Sequence, residues 1–269
     1  MEDNKDDNIL LIKTVQIAPF RVLMVALKDI LLETNITFQP DGIRIINMDK
    51  SQTILVHMHL DSKNFEYYNC TKEKIIVGVN MLHLFKLINS IDNEETLSIY
   101  IESQDFNDGV VEYLNLKFEN KSIKQCKIQQ LKLIEPEMEE LTVPDVKFSS
   151  IINMPSQDFQ KIIRDLNNIS DKLEIKSLNN QLIFKCNGTF ANAEIIRSES
   201  DGMGFIQKNN NIIQGLFSLK NLGYFIKCTN LCNQIEIYLG NNLPLIVKYN
   251  VASLGAIKLG LAPITNLNN

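Results

Sequence analysis

Apolar residues recur along the chain at two periods, and the change from one to the other marks out its elements. Over residues 20–30 (FRVLMVALKDI), Phe20, Leu23, Met24, Leu27 and Ile30 fall at i, i+3, i+4, i+7 and i+10. That spacing predicts an amphipathic helix. Residues 81–91 (MLHLFKLINSI), 159–169 (FQKIIRDLNNI) and 219–229 (LKNLGYFIKCT) read the same way. Elsewhere the period is two: Ile54, Val56, Met58 and Leu60 alternate with polar or exposed positions. Short runs rich in β-formers at 42–46, 97–101, 111–118, 173–175, 181–185, 235–239 and 245–251 complete a set of predicted strands.

The order of these elements repeats. Phe20, Leu23, Leu27 and Ile30 fall on Phe159, Ile162, Leu166 and Ile169 at a shift of 139 residues, and GIRII at 42–46 falls on QLIFK at 181–185. The second and fourth helical patterns align at a shift of 138. An internal repeat of this length predicts one α+β domain present twice, each copy a mostly antiparallel sheet with two short helices. The expected boundaries are an acidic tail over 1–11, a first domain over 12–130, a connector over 131–148, a second domain over 149–264 and a tail over 265–269. The connector, LKLIEPEMEELTVPDVKF, holds Pro136 and Pro144, which disfavour a helix. Met138, Leu141 and Val143 are interleaved with its glutamates, the pattern of a strap lying on a surface, either structural alone or also engaging a partner.

Composition narrows this picture. The 269 residues are 45% hydrophobic and 22% charged, enough to bury a core and too apolar for a disordered chain. The net charge of −5 argues against a uniformly basic nucleic-acid coat or an anionic-membrane adhesin. Five scattered cysteines (Cys70, Cys126, Cys186, Cys228, Cys232) cannot all pair within one chain. The first residues lack a secretory signal pattern, and no apolar run approaches a membrane span. The expectation is an intracellular, reduced protein.

Candidate chemistry lies on the helices. Arg21, Lys28, Lys86, Lys161, Arg164, Lys220 and Lys227 all sit on the sides away from the apolar stripes, although Asp29 and Asp165 share those sides and Val22 and Val25 dilute the first helix. Four basic helix faces in an acidic protein imply segregated charge. His57 and His59 share a strand face but lack further ligands at metal spacing, so they read as exposed surface histidines. Cys228 and Cys232, at i and i+4, read as two half-buried thiols. Glu135, Glu137, Glu139 and Glu140 sit on the strap, where no rigid element holds them for acid–base work. No phosphate-binding glycine loop, GxSxG or HExxH is present. The reading is a non-enzyme with no metal or cofactor.

Several segments resemble one family. Residues 26–29 (ALKD), 42–49 (GIRIINMD), 78–80 (GVN), 154–156 (MPS), 164–166 (RDL), 244–247 (PLIV) with Tyr249, and 261–263 (LAP) are similar, in order, to the eukaryotic-type sliding clamp family of proliferating cell nuclear antigen, from about Ile12 to Ile264. The Asn, Ile and Lys bias resembles that of a protist or a large DNA virus.

The resemblance implies a DNA clamp fold, with three chains closing into a six-domain homotrimeric ring whose helices line a hole for duplex DNA. Its implied function is a polymerase processivity factor and docking platform for replication and repair proteins, the alternatives being a subunit of a mixed checkpoint-type clamp or a monomeric processivity factor. The implied partners are duplex DNA, DNA polymerase and other clamp-binding peptides, a clamp loader and further copies of itself, with no membrane. The implied location is the nucleus, or a cytoplasmic replication site for a viral protein. The implied DNA contacts are the seven helix cations named above, with Asn89 and Asn168 replacing basic residues of relatives. The implied peptide pocket comprises Met48, Gln52, Thr53, Leu55, Leu141, Val143, Pro144, Pro244, Gly260, Ala262, Pro263 and Ile264. Gly260 stands where the family usually has a tyrosine, which should widen or flatten that pocket, and Asn179 stands where a ubiquitin-acceptor lysine usually lies. The implied subunit edges run over 123–131 and 189–198, through Ile123, Cys126, Ile128, Leu131, Phe190, Ala193, Ile195 and Arg197.

Overall fold

A computed structural model describes residues 7–107, 109–137 and 141–264; Met138, Glu139 and Glu140 of the strap, residues 1–6 of the first tail and all of the expected tail over 265–269 lie outside the described residues. The chain divides into two compact units, the first comprising Met1–Asn47, His57–Thr142 and Val251–Ala256, the second Met48–Val56, Val143–Asn250 and Ile257–Asn269.

The first unit is built from β1 (Asn8–Thr14), α1 (Ile17–Ile30), β2 (Glu33–Gln39), β3 (Gly42–Met48), β4 (Ile54–Asp61), β5 (Tyr67–Cys70), β6 (Ile75–Asn80), α2 (Met81–Ile88), β7 (Thr96–Glu102), the short pair β8 (Phe106–Asn107) and β9 (Val110–Val111), β10 (Tyr113–Asn120) and β11 (Gln125–Lys132). One sheet has the order β11-β10-β7-β1-β5; in the other, β4, β3, β2 and β6 follow one another. Alternation decides which face is core: Ile12, Ile99 and Leu116 stand side by side across β1, β7 and β10 and are buried. Strand β1 begins at Asn8, ahead of the expected domain start, because Ile9, Leu10 and Leu11 bury their side chains.

The second unit repeats the plan with β12 (Ser150–Pro155), α3 (Ser156–Asn167), β13 (Lys172–Leu178), β14 (Gln181–Asn187), β15 (Asn192–Ser198), β16 (Gly204–Gln207), β17 (Ile213–Ser218), α4 (Leu219–Phe225), β18 (Gln234–Leu239), β19 (Leu245–Val251) and β20 (Gly255–Leu261). Its sheets run β15-β14-β13-β17 and β16-β12-β18-β19-β20. On α3, Phe159, Ile162, Ile163 and Leu166 are buried at the predicted spacing, each side chain contributing about 1.5–3 kcal/mol when fully covered.

The helical patterns at 81–91 and 219–229 end early as α-helix. Helix α2 stops at Ile88, where Ser90 Oγ donates to Leu87 O at 2.8 Å. Helix α4 stops at Phe225 and tightens into a 3₁₀ segment over Ile226–Leu231, with Thr229 Oγ1 donating to Ile226 O at 2.6 Å. Two side-chain expectations also change. His57 and His59 are half-buried, not exposed, because the His59 ring packs close over the backbone of Gly42, while its Nδ1 lies 3.8 Å from Asp61 Oδ1. Cys228 is fully buried and only Cys232 is half-buried; burial, and then the neighbouring Cys232, push the Cys228 thiol up to about 12.

The strap begins on the first unit. Ile134 N donates to Gly78 O at 2.9 Å, and a side chain at residue 78 would meet Ile134 O at 2.5 Å, so only glycine admits this approach. Three residues on, Asn35 mimics a strand: its Nδ2 donates to Glu137 O at 2.7 Å and its Oδ1 accepts from Glu137 N at 3.0 Å.

Candidate functional site

The seven helix cations differ in how freely they are presented. On α1, Arg21 and Lys28 are half-buried. Arg21 donates to Asn93 Oδ1 at 2.5 Å; Lys28 pairs with Asp29 at 2.8 Å and stands 4.9 Å from the centre of the Phe85 ring on α2. Lys86 on α2 is exposed. On α3, Lys161 and Arg164 are exposed, and their side chains make no hydrogen bond or ion pair among the described residues. Lys220 at the start of α4 and Lys227 beyond its end are exposed, Lys227 lying 5.5 Å from the Tyr224 ring centre. In each unit the helix pair therefore offers cations on its polar side.

The second unit contains most of the expected peptide pocket. Its best-organised part is the turn after Met48. The Asp49 carboxylate accepts from Thr53 N at 2.7 Å, Ile54 N at 2.6 Å and Ser51 N at 3.2 Å, and also from Ser51 Oγ. Burial raises the Asp49 pKa, but the bonds from Ser51, Ile54 and Thr53 outweigh it, so the carboxyl titrates below its ordinary value. These bonds hold Gln52 at φ 56°, a conformation that costs a residue other than glycine about 1–2 kcal/mol. The turn leaves Gln52 exposed and Thr53 half-buried.

Thr53 is a junction. Its carbonyl accepts from Ala262 N at 2.9 Å, and its Oγ1 accepts from Asn221 Nδ2 of α4 at 3.2 Å. Ile264 N donates to Leu216 O on β17 at 2.7 Å, so the segment after β20 is pinned at two points. Met48, Leu55, Pro263 and Ile264 are half-buried; Pro244, Ala262, Val143 and Pro144 are exposed. Leu141 is 40% exposed and belongs to the first unit. Gly260 is buried: a Cβ there would lie 3.0 Å from Ile246 Cδ1 and 3.4 Å from Leu55 Cβ. Ile246 thus covers this position. Asp49, Asn221 and Ile246 were not among the expected site residues; the Asx-turn spacing of Asp49 and Ser51 was a sequence signal, whereas the other two depend on register.

Strands β11 and β15 each end the order of their sheets, leaving one side of each without a partner strand among the described residues. Cys126 and Ile128 are exposed on β11, but Leu131 has the opposite parity and is 5% exposed, part of the core. Ile123 lies in the preceding turn, outside the strand. On β15, Ala193, Ile195 and Arg197 share a half-buried face, Arg197 reaching Asp158 of α3 at 2.8 Å. Phe190 precedes the strand and is 76% exposed; Ile196, on the other face, is 50% exposed. Among the described residues no group of three or more His, Cys, Asp or Glu could hold a metal ion.

The sequence profile of the proliferating cell nuclear antigen N-terminal domain matches residues 9–141, and that of the C-terminal domain matches residues 142–264. The chain belongs to the proliferating cell nuclear antigen family. Within that family it is 36% identical to the probable DNA polymerase sliding clamp 1 of Paramecium bursaria Chlorella virus 1, over 96% of this chain and 98% of the relative. It is 34% identical to the probable DNA polymerase sliding clamp of Acanthamoeba polyphaga mimivirus, over 84% of this chain but 48% of that longer protein. Against the proliferating cell nuclear antigen of Chaetomium thermophilum the identity is 30%, over 88% and 91% of the two chains. The doubled α+β architecture is that of the family's clamp fold.

Proposed function

We propose that this chain is a DNA polymerase sliding clamp, a ring that tethers the polymerase without itself catalysing a reaction. The observation that carries the reading is the match of both proliferating cell nuclear antigen domains across almost the whole chain, with a viral relative named probable DNA polymerase sliding clamp 1 and a fungal relative named proliferating cell nuclear antigen, each matched over most of its length. Three copies would close head-to-tail by pairing β11 of one with β15 of the next, which removes two open sheet edges per chain. Helices α1 to α4 would face duplex DNA, with Arg21, Lys28, Lys86, Lys161, Arg164, Lys220 and Lys227 meeting phosphates. Phosphate contacts carry no sequence information, which suits a protein that slides.

The Asp49 turn, Leu55, Pro244 and the segment 262–264, together with strap residues Val143 and Pro144, would receive a short apolar peptide from the polymerase or another replication protein. A clamp loader and an intracellular replication site follow from the same reading. No helix among the described residues is long and apolar enough to cross a membrane. Light scattering on the purified chain tests closure: a mass three times that of the chain is expected, and a monomer at micromolar concentration would sink the homotrimer. Primer extension on a long template, with and without the chain, tests tethering.

A further inference from the structure

The outer row of the second unit's larger sheet runs from Ile151 on β12 to Tyr238 on β18 and Ile246 on β19, each directly opposite the next. It continues past the bare backbone of Gly260 to Leu55, since both Ile246 Cδ1 and Leu55 Cβ lie within van der Waals reach of a Cβ built there. Every side chain of this row is half-buried, so each keeps an open surface. The Phe148 ring stands against Tyr238 edge-on, 5.6 Å between centres. Beside the row, Glu236 accepts from Lys248 Nζ at 2.8 Å and from the Tyr238 hydroxyl, so the one polar atom the row itself carries is already engaged. Such a shelf suits an apolar guest, because a charged side chain laid on it would shed water for apolar neighbours.

We propose that Phe148, Tyr238 and Ile246 form an additional subsite, continuous with the peptide pocket through Gly260, that takes one further leucine- or phenylalanine-sized side chain of the bound peptide. The inference rests on the pocket assigned above to Leu55 and its neighbours. Gly260 is what makes the shelf and pocket one surface. Any side chain there would rise between Ile246 and Leu55, meeting Ile246 Cδ1 already at its first carbon, 3.0 Å away. Leu55 and the segment 262–264 would then be walled off from Tyr238.

The test uses the full chain and a short blocked peptide with a central aromatic pair, selected for binding to it. The peptide is resynthesised with alanine, leucine, phenylalanine or lysine at each flanking position. At one flanking position leucine and phenylalanine are expected to bind the unaltered chain about tenfold more tightly than alanine, the yield of burying one such side chain. Tyr238→Ser should erase that gain while the alanine peptide binds it and the unaltered chain alike; Gly260→Tyr, which also reshapes the pocket beside Leu55, should remove the difference between the leucine and alanine peptides at that position. Tyr238→Phe should retain the gain and guards against loss of fold. A gain that survives both variants overturns the subsite, as does a larger gain from lysine than from leucine. If Leu55→Asp leaves the alanine peptide's affinity unchanged, the pocket itself is misplaced and the subsite falls with it; if Leu55→Asp abolishes binding but no flanking position responds to leucine, the pocket stands and only the subsite falls.

Discussion

Helices α1 and α3 occupy the same place in the repeat and bury the same apolar stripe, yet they present charge differently. Lys161 and Arg164 of α3 fall, at the shift of 139, on Val22 and Val25 of α1. The cations of α1 stand elsewhere on its wheel and are engaged, Arg21 with Asn93 and Lys28 with Asp29 and the Phe85 ring. A stripe of buried side chains fixes where a helix lies; it leaves the opposite side free to vary, so one repeat keeps its fold while changing how much charge it offers. An engaged cation must break a contact before it can meet a phosphate, and a free one need not.

The difference between the helices can be tested directly. Reversing the α3 pair, Lys161→Glu with Arg164→Glu, should have the largest effect: processive synthesis on a long template should collapse toward the level without the chain, with the oligomer intact. Arg21→Glu with Lys28→Glu should reduce processivity less; an equal loss would show that the internal contacts of α1 do not withhold its charge. Grafting the α3 pattern onto α1, Val22→Lys with Val25→Arg, should steepen the log–log salt dependence of retention on DNA by about 1.8, the sum for two added phosphate contacts at roughly 0.9 each.

A smaller effect separates α4 from α2. Asn221 of α4 holds Thr53 in the pocket turn, whereas its counterpart by the shift of 138, His83, is exposed on α2. Asn221→Ala should weaken peptide binding by about 1 kcal/mol, the usual worth of one side-chain hydrogen bond, and leave retention on DNA unchanged. The smallest effect is on pH. The Asp49 carboxyl titrates below its ordinary value of 3.8, so its contribution to stability is complete above that value and is lost as pH falls through the lower folded one. Acid unfolding should show that loss, and Asp49→Asn should flatten it.

What could be read from the residues follows the same division. Phe159, Ile162, Ile163 and Leu166 advertise α3 because burial imposes a period on a contiguous stretch. The repeat was legible for the same reason, as were the edge strands in outline. Parity at their ends was not: Leu131 resembles Ile128 in type, and only the register of β11 against β10 sends one inward and the other out. The shelf of Phe148, Tyr238 and Ile246 was invisible because it joins residues about ninety positions apart through cross-strand pairing that no local pattern encodes. Nor could a helical wheel tell a free lysine from one resting on Phe85, since the ring belongs to another helix.

The exposed thiol of Cys126 on β11 has a practical use. Among the five cysteines it alone is exposed; Cys186 and Cys228 are buried and Cys70 and Cys232 half-buried, with burial raising the pKa of both half-buried thiols. A maleimide dye added in limiting amount would therefore mark the open edge of the first unit with no engineered residue. If copies join through β11 as proposed, fluorescence from a dye on a fraction of the chains would follow their joining and parting in real time, making the natural chain its own reporter of assembly.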